Sequence, residues 1–141
     1  MIDGRITVIS DCLYRVSAKV IVIQDHKILA VLEGNDKYSL PGGGIDHGES
    51  IPAALQRELE EEIGLQAGDV TIASTPSFVT NDGVSKGIPK LGLFYKAELH
   101  NTEGLRHAEV RYEWLDAAML GRVRLSSNTA GARDFLVSLL G

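Results

Sequence analysis

The stretch from Leu40 to Leu65 constrains this chain more than any other. It opens with "LPGGGIDHGE" (40–49), one proline and four glycines in ten residues, and runs directly into a helical pattern from Ser50 to Ile63. The glycine-rich part has few side chains to pack, so it reads as loop or very short strand with backbone lying close to a neighbour. The helix is fully punctuated: Ser50 is an N-cap, Pro52 sits in the first turn, and Gly64 is a terminator. Leu55, Leu59 and Ile63 form an apolar stripe at four-residue spacing, so this helix must cover an apolar surface built elsewhere.

The flanking segments supply that surface as strands. "RVSAKVIVI" (15–23) is rich in β-branched residues and reads as a buried strand, "QDHK" (24–27) as a turn, and "ILAVLE" (28–33) as the second arm of a hairpin. "GNDKYS" (34–39) reads as a loop. After "DVTIASTPSFVT" (69–80) and a turn at "NDG", "IPKLGLFYKAEL" (88–99) alternates as a strand through Leu91, Leu93, Tyr95, Ala97 and Leu99. "EVRYEWL" (109–115) places Val110, Tyr112 and Trp114 on one face; Asp116 caps a short helix at "AAML", and "ARDFLVSLL" (132–140) closes as a helix. This order predicts a mixed α/β sheet covered by helices.

At 141 residues, 44% hydrophobic and 23% charged, the chain fits one soluble domain, 1–141. No apolar run approaches the roughly 20 residues that cross a bilayer, and "MIDGRITVIS" lacks the pattern of a signal peptide. A single cysteine, Cys12, forbids an internal disulfide, reads as inert, and suits the cytoplasm. The net charge of −5 argues against a general nucleic-acid surface, leaving room for a small phosphorylated ligand where a local positive charge exists.

The end of the helix, "RELEEEIG" (57–64), is costly on its own terms. At about 100° per residue, Glu58, Glu61 and Glu62 share an arc of about 100° while Glu60 points elsewhere. Like charges at this spacing destabilise a helix by roughly 0.2–0.5 kcal/mol per pair, and the negative end of the macrodipole adds to it. Two readings stand at this point: a solvated acidic face, or three carboxylates that hold a hard divalent cation.

Spacing decides between them. Gly43, Glu49, Arg57, Glu58, Leu59, Glu61, Glu62, Gly64 and Leu65 fill all nine specified positions of G-x5-E-x7-R-E-U-x-E-E-x-G-U, where U is aliphatic. The segment resembles the signature of the Nudix hydrolases, and the element order of the whole chain is similar to that of their MutT-type domain. The resemblance implies an α/β/α sandwich around a mixed sheet. It further implies hydrolysis of a nucleoside diphosphate linked to X, with Mg²⁺ (or Mn²⁺) as cofactor. Carried onto this chain, Glu58, Glu61, Glu62 and the Gly43 carbonyl are the metal ligands, and Arg57 orients a box glutamate with Glu49 as partner. The backbone of Gly42, Gly43 and Gly44 faces phosphate, and the catalytic set is Glu58, Glu61, Arg57 and Glu109. The general base is a box glutamate or a later carboxylate, Glu109 being preferred to Glu113.

Marks that subdivide the family are missing downstream. "TND" (80–82) has neither the proline associated with ADP-ribose enzymes, Pro76 coming too early, nor the tyrosine associated with diadenosine-polyphosphate enzymes. A (d)NTP or other small nucleotide is therefore the expected substrate, with nucleotide sugars and ADP-ribose as alternatives. A monomer or homodimer is expected, with neither nucleic-acid polymer nor membrane as partner. Two other readings compete: a Nudix domain that senses a nucleotide without cleaving it, and an acidic interaction surface. His26, His47, His100 and His107 read as surface residues. Tyr38, Phe78, Phe94 and Trp114 could stack on a base, but read first as core.

Overall fold

The longest strands set the frame. In the computed structural model, which describes residues 13–141, β1 (Arg15–Gln24) and β8 (Ile88–Leu99) run parallel, in register from Arg15↔Lys90 to Val22↔Ala97. Cys12 and the opening segment lie outside the described residues. β1 is buried on both faces at its centre: Ala18, Val20 and Val22 enter one core and Ile21 the other. That is the position parallel strands require. Asp25 and His26, at φ 52° and 60°, make the tight turn into β2 (Lys27–Glu33).

β1 and β2 are paired only next to that turn, at Ile23↔Ile28 and Gln24↔Lys27. Beyond it they part. β1 takes β4 (Gly42–Gly44) as its antiparallel partner, while β2 takes β3 (Lys37–Ser39) and β9 (Tyr112–Leu115). The sheet order is β10-β3-β2-β1-β8-β5, with β5 at Val70–Ile72 and β10 at Arg124–Leu125. β6 (Phe78–Thr80) and β7 (Val84–Ser85) also lie against β8.

Helices cover both faces. On one side Leu55, Leu59 and Ile63 of α1 (Ile51–Ile63) pack on Val20, Val22, Leu29 and Val31. On the other, Leu120 of α2 (Ala117–Leu120), and Ala132 and Leu136 beside and within α4 (Arg133–Leu140), pack on Ile21, Ile28, Ala30 and Phe94. This is the α/β/α sandwich with a mixed sheet. No helix among the described residues is long and apolar enough to cross a membrane.

Three local expectations change. Residues 37–39 of the expected loop form β3, because Val31, Leu32 and Glu33 of β2 offer it an edge. The strand expected over 109–115 begins at Tyr112, since the N–H groups of Glu109 and Val110 donate to the carbonyl of Glu62. β10 and α3 (Ser127–Gly131) were not expected at all.

Candidate active site

α1 is held in place at both ends. Ser50 Oγ accepts from the N–H of Ala53 at 3.2 Å. Gly64 closes the helix at φ 74°, donating to the carbonyl of Glu60 while Leu65 donates to that of Leu59. A Cβ on Gly64 would collide with the carbonyl of Gly104. The acidic turns therefore end in a fixed orientation beside β4.

Arg57 gathers the carboxylates around it. Its Nε donates to Glu49 Oε2 at 2.7 Å and its NH2 to Glu49 Oε1 at 2.9 Å, a bidentate pair. NH1 donates to Glu58 Oε1 at 3.1 Å and lies 3.5 Å from Glu61 Oε2. These bonds hold the Glu49 carboxyl below the usual glutamate range and raise the Arg57 guanidinium further above its own.

The glycines of β4 let the other glutamates come close. Gly42 N–H donates to Glu62 Oε1 at 2.9 Å. A Cβ on Gly43 would lie 2.7 Å from Glu58 Oε1, so only glycine leaves that carboxylate where it is. Burial raises the pKa of Glu62, and the negative charges of Glu58 and Glu33 add to that; the Gly42 N–H and Lys19 act the other way. Glu61 is 61% exposed, and Glu60 is exposed and bonded to Gln56.

The donors fit a hard divalent ion: oxygen only, with two half-buried carboxylates, Glu58 and Glu62, whose charge a cation would relieve. The set is not closed in advance. Among the described residues no three carboxylate or imidazole groups converge as a ready coordination sphere, because Arg57 holds Glu58 and Gly42 holds Glu62. His47, like His26, His100 and His107, is exposed.

Where β1 and β2 diverge, a cleft of about 370 Å³ opens. Its walls include Arg15, Lys19 and Lys90 together with Glu33, Glu62 and the three glycines of β4. Lys19 is half-buried and donates to the carbonyl of Gly42 at 3.2 Å; burial lowers its pKa, while Glu62 and Glu33 oppose that. Sequence reasoning missed these cations and Glu33. The signal was present in β1, where Arg15, Ser17 and Lys19 alternate with Val16, Ala18 and Val20. A strand buried on both faces does not carry charge at every second position unless that face opens to something polar.

Glu109 lines a different hollow, shared with Glu60, Gly64 and Gln66. Burial raises the pKa of the Tyr38 hydroxyl, and the neighbouring Glu113 carboxylate, hydrogen-bonded to it, adds to that. Phe94 is fully buried, Phe78 stacks on Phe135 at 4.7 Å, and Trp114 packs against the core under α1, so no side chain proposed for base stacking reaches the cleft.

A family model, the NUDIX domain, matches residues 13–137. The chain belongs to the Nudix family. Members of this family hydrolyse diphosphate bonds with the help of divalent metal ions. The Nudix chain is 42% identical over 72 residues to an RNA pyrophosphohydrolase of Ruthia magnifica subsp. Calyptogena magnifica, covering 49% of this chain and 40% of that protein. Its match thus spans less than half the length of that relative. Among solved structures it is similar to the MutT NUDIX hydrolase from Burkholderia pseudomallei (TM-score 0.64, 22% identity, 86% of this chain and 97% of that one). It is also similar to a C. elegans Ap4A hydrolase binary complex (TM-score 0.70, 20% identity, 89% and 94%). At these identities the two structures speak for the Nudix fold alone.

Proposed function

We propose that this chain is a metal-dependent pyrophosphohydrolase that cleaves a phosphoanhydride bond in a small nucleotide, a (d)NTP or a compound of similar size. One observation carries the reading. Glu62, bonded to the Gly42 N–H, lines a cleft that also bears Arg15, Lys19 and Lys90, and Glu58 lies directly behind Gly43 of the same wall.

Glu58, Glu61, Glu62 and the Gly43 carbonyl would hold the ion, Mg²⁺ or Mn²⁺ by donor type. The chemistry supplied there is Lewis-acid charge for the diphosphate oxygens and a water made acidic near neutral pH. The chain's own residues do the rest. Arg57 fixes the positions of Glu49 and Glu58 through three hydrogen bonds and pairs more loosely, at 3.5 Å, with the largely exposed Glu61. Gly42, Gly43 and Gly44 carry no side chain between the carboxylates and the cleft, so a phosphate chain can approach the backbone. A carboxylate would take the proton of the attacking water: Glu61 is exposed where it stands, while Glu109 would have to leave its separate hollow to take part. Comparing Glu61→Gln with Glu109→Gln assigns that role.

A second substrate reading is the 5′ end of RNA, favoured by the RNA pyrophosphohydrolase relative and opposed by the chain's acidic balance. Nucleotide sugars and ADP-ribose are further alternatives. The test is a panel of nucleoside triphosphates, nucleotide sugars, ADP-ribose and a 5′-triphosphorylated oligoribonucleotide, incubated with Mg²⁺ and resolved by product mass. Release of phosphate, pyrophosphate or nucleotide halves by the wild type, and its loss in Glu62→Gln, is the expected result. A panel without any product, with folded protein and either metal, overturns the proposal.

A further inference from the structure

We propose that Arg15, Lys19 and Lys90 form a polyphosphate clamp, so that the cleft selects its substrate by the length of the phosphate chain and not by the base. This rests on the hydrolase reading for its context and deepens it.

The cations are placed by strand register. Arg15, Ser17 and Lys19 occupy alternate positions of β1 and so share one face of the strand. Lys90 of β8 is the register partner of Arg15. On the opposite edge of β1, β4 aligns Lys19 with Gly42 and Ser17 with Gly44. Side chains follow that alignment: Lys19 Nζ reaches the Gly42 carbonyl, and the Arg15 guanidinium ends 3.8 Å from where a Gly44 Cβ would stand. The triglycine strand therefore has a cation at each end, and carboxylates of α1 against its first two residues.

Among the described residues Lys19 has one hydrogen bond for three donors, and Arg15 and Lys90 have no side-chain hydrogen bond or ion pair. Three cations thus face this cleft with few partners among the described residues, in a protein of net charge −5. Ammonium and guanidinium groups in such a setting suit phosphate oxygens. Ser85 of the same cleft adds a hydroxyl, while that of Ser17 is buried and donates to Asn128 Oδ1.

The cleft has no platform for a base. All the aromatic residues fall among the described residues, and none lines it. Besides those already placed, Tyr95 and Tyr112 pack in the core under α1 and Tyr14 stands exposed ahead of β1. The cations and glycine backbone of the cleft suit phosphate; its remaining lining is the aliphatic Val16, Val31, Leu32 and Val110 and the carboxylates Glu33 and Glu62, and aromatic stacking, the common sequence-tolerant grip on a base, is missing from it.

Two measurements test this. In the first, inorganic tripolyphosphate and orthophosphate are titrated calorimetrically, with Mg²⁺, into the full chain and into Arg15→Gln, Lys90→Gln and Lys19→Gln. Tripolyphosphate should bind the wild type more tightly than orthophosphate does. Each substitution should weaken it by about tenfold or more, the scale of one charge-assisted hydrogen bond. Lys19→Arg should retain most of the affinity, which separates charge from the packing role of Lys19 beside Gly42. Circular dichroism checks folding, and Arg15 and Lys90, on the cleft wall, are open to replacement without loss of core.

In the second, kcat/KM is compared across ATP, GTP, CTP and UTP and across di-, tri- and tetraphosphate chains of one nucleoside. The four bases should agree within about tenfold, a spread too small for a buried base-specific hydrogen bond. Activity should rise with chain length. Unchanged tripolyphosphate affinity in all three glutamine variants, or a hundredfold preference for one base, overturns the clamp. A wild type that binds tripolyphosphate as expected but turns over nothing removes the hydrolase reading and leaves the clamp. Turnover with unmoved affinities does the reverse.

Discussion

Glu62 is where the demands on single residues meet. Its carboxylate is half-buried, raised in pKa by that burial, and steadied by the Gly42 N–H at 2.9 Å. Glutamine would keep an oxygen for that N–H and remove a charge that burial makes costly. Glu62→Gln is therefore expected to abolish turnover while leaving the metal-free unfolding midpoint equal to or above that of the wild type; a lower midpoint contradicts this account of the residue. Glu49 illustrates the opposite shift. Arg57 depresses its pKa, so the pair stabilises the fold above the ordinary glutamate range, and the contribution fades as pH falls through the depressed value. Urea midpoints measured from neutral pH down to the acid limb should fall less steeply in Glu49→Gln than in the wild type. Parallel curves would mean the pair is absent in solution.

α1 was legible from sequence at both ends because its signals are local. A serine hydroxyl, an early proline and a glycine at φ 74° act within one turn of their own positions. The two caps should differ in weight. Ser50→Ala loses one hydrogen bond at an exposed end and should cost about 1 kcal/mol. Gly64→Ala places a Cβ in left-handed backbone and against the Gly104 carbonyl, so chemical denaturation should register a larger loss, about 2 kcal/mol or more. Equal losses would show that the close approach of Gly64 and Gly104 carries no energy. β3, β10 and α3 escaped the sequence for the converse reason. β10 pairs with β3 across Arg124↔Lys37, aided by Arg124 on Asp36 at 2.6 Å and Ser126 on Glu33 at 2.9 Å. Strands of two or three residues have no periodicity of their own and exist because a distant edge accepts them, and the five residues of α3 are too few for a helical pattern.

At the scale of the molecule, the proposed cation site would link ion binding to folding. An ion held only by the folded arrangement of Glu58, Glu61 and Glu62 stabilises by about 2.7 kcal/mol at a hundred times its Kd. Scanning calorimetry should show Mg²⁺ raising the melting temperature of the wild type, with the rise lost in Glu62→Gln. A midpoint indifferent to Mg²⁺ and to Mn²⁺ would favour the acidic interaction surface instead. The helix, its acidic face and the family signature were determined by sequence, because each depends on spacing within one continuous segment of 23 residues from Gly43 to Leu65. The cleft was decided by tertiary structure. It exists because β1 leaves β2 after two paired residues, which brings Glu33 opposite Lys19 and sets Lys90 beside Arg15 across 75 positions of chain. Sequence spacing specifies charges along a helix or strand; which charges face each other across a gap follows only from where the sheet divides.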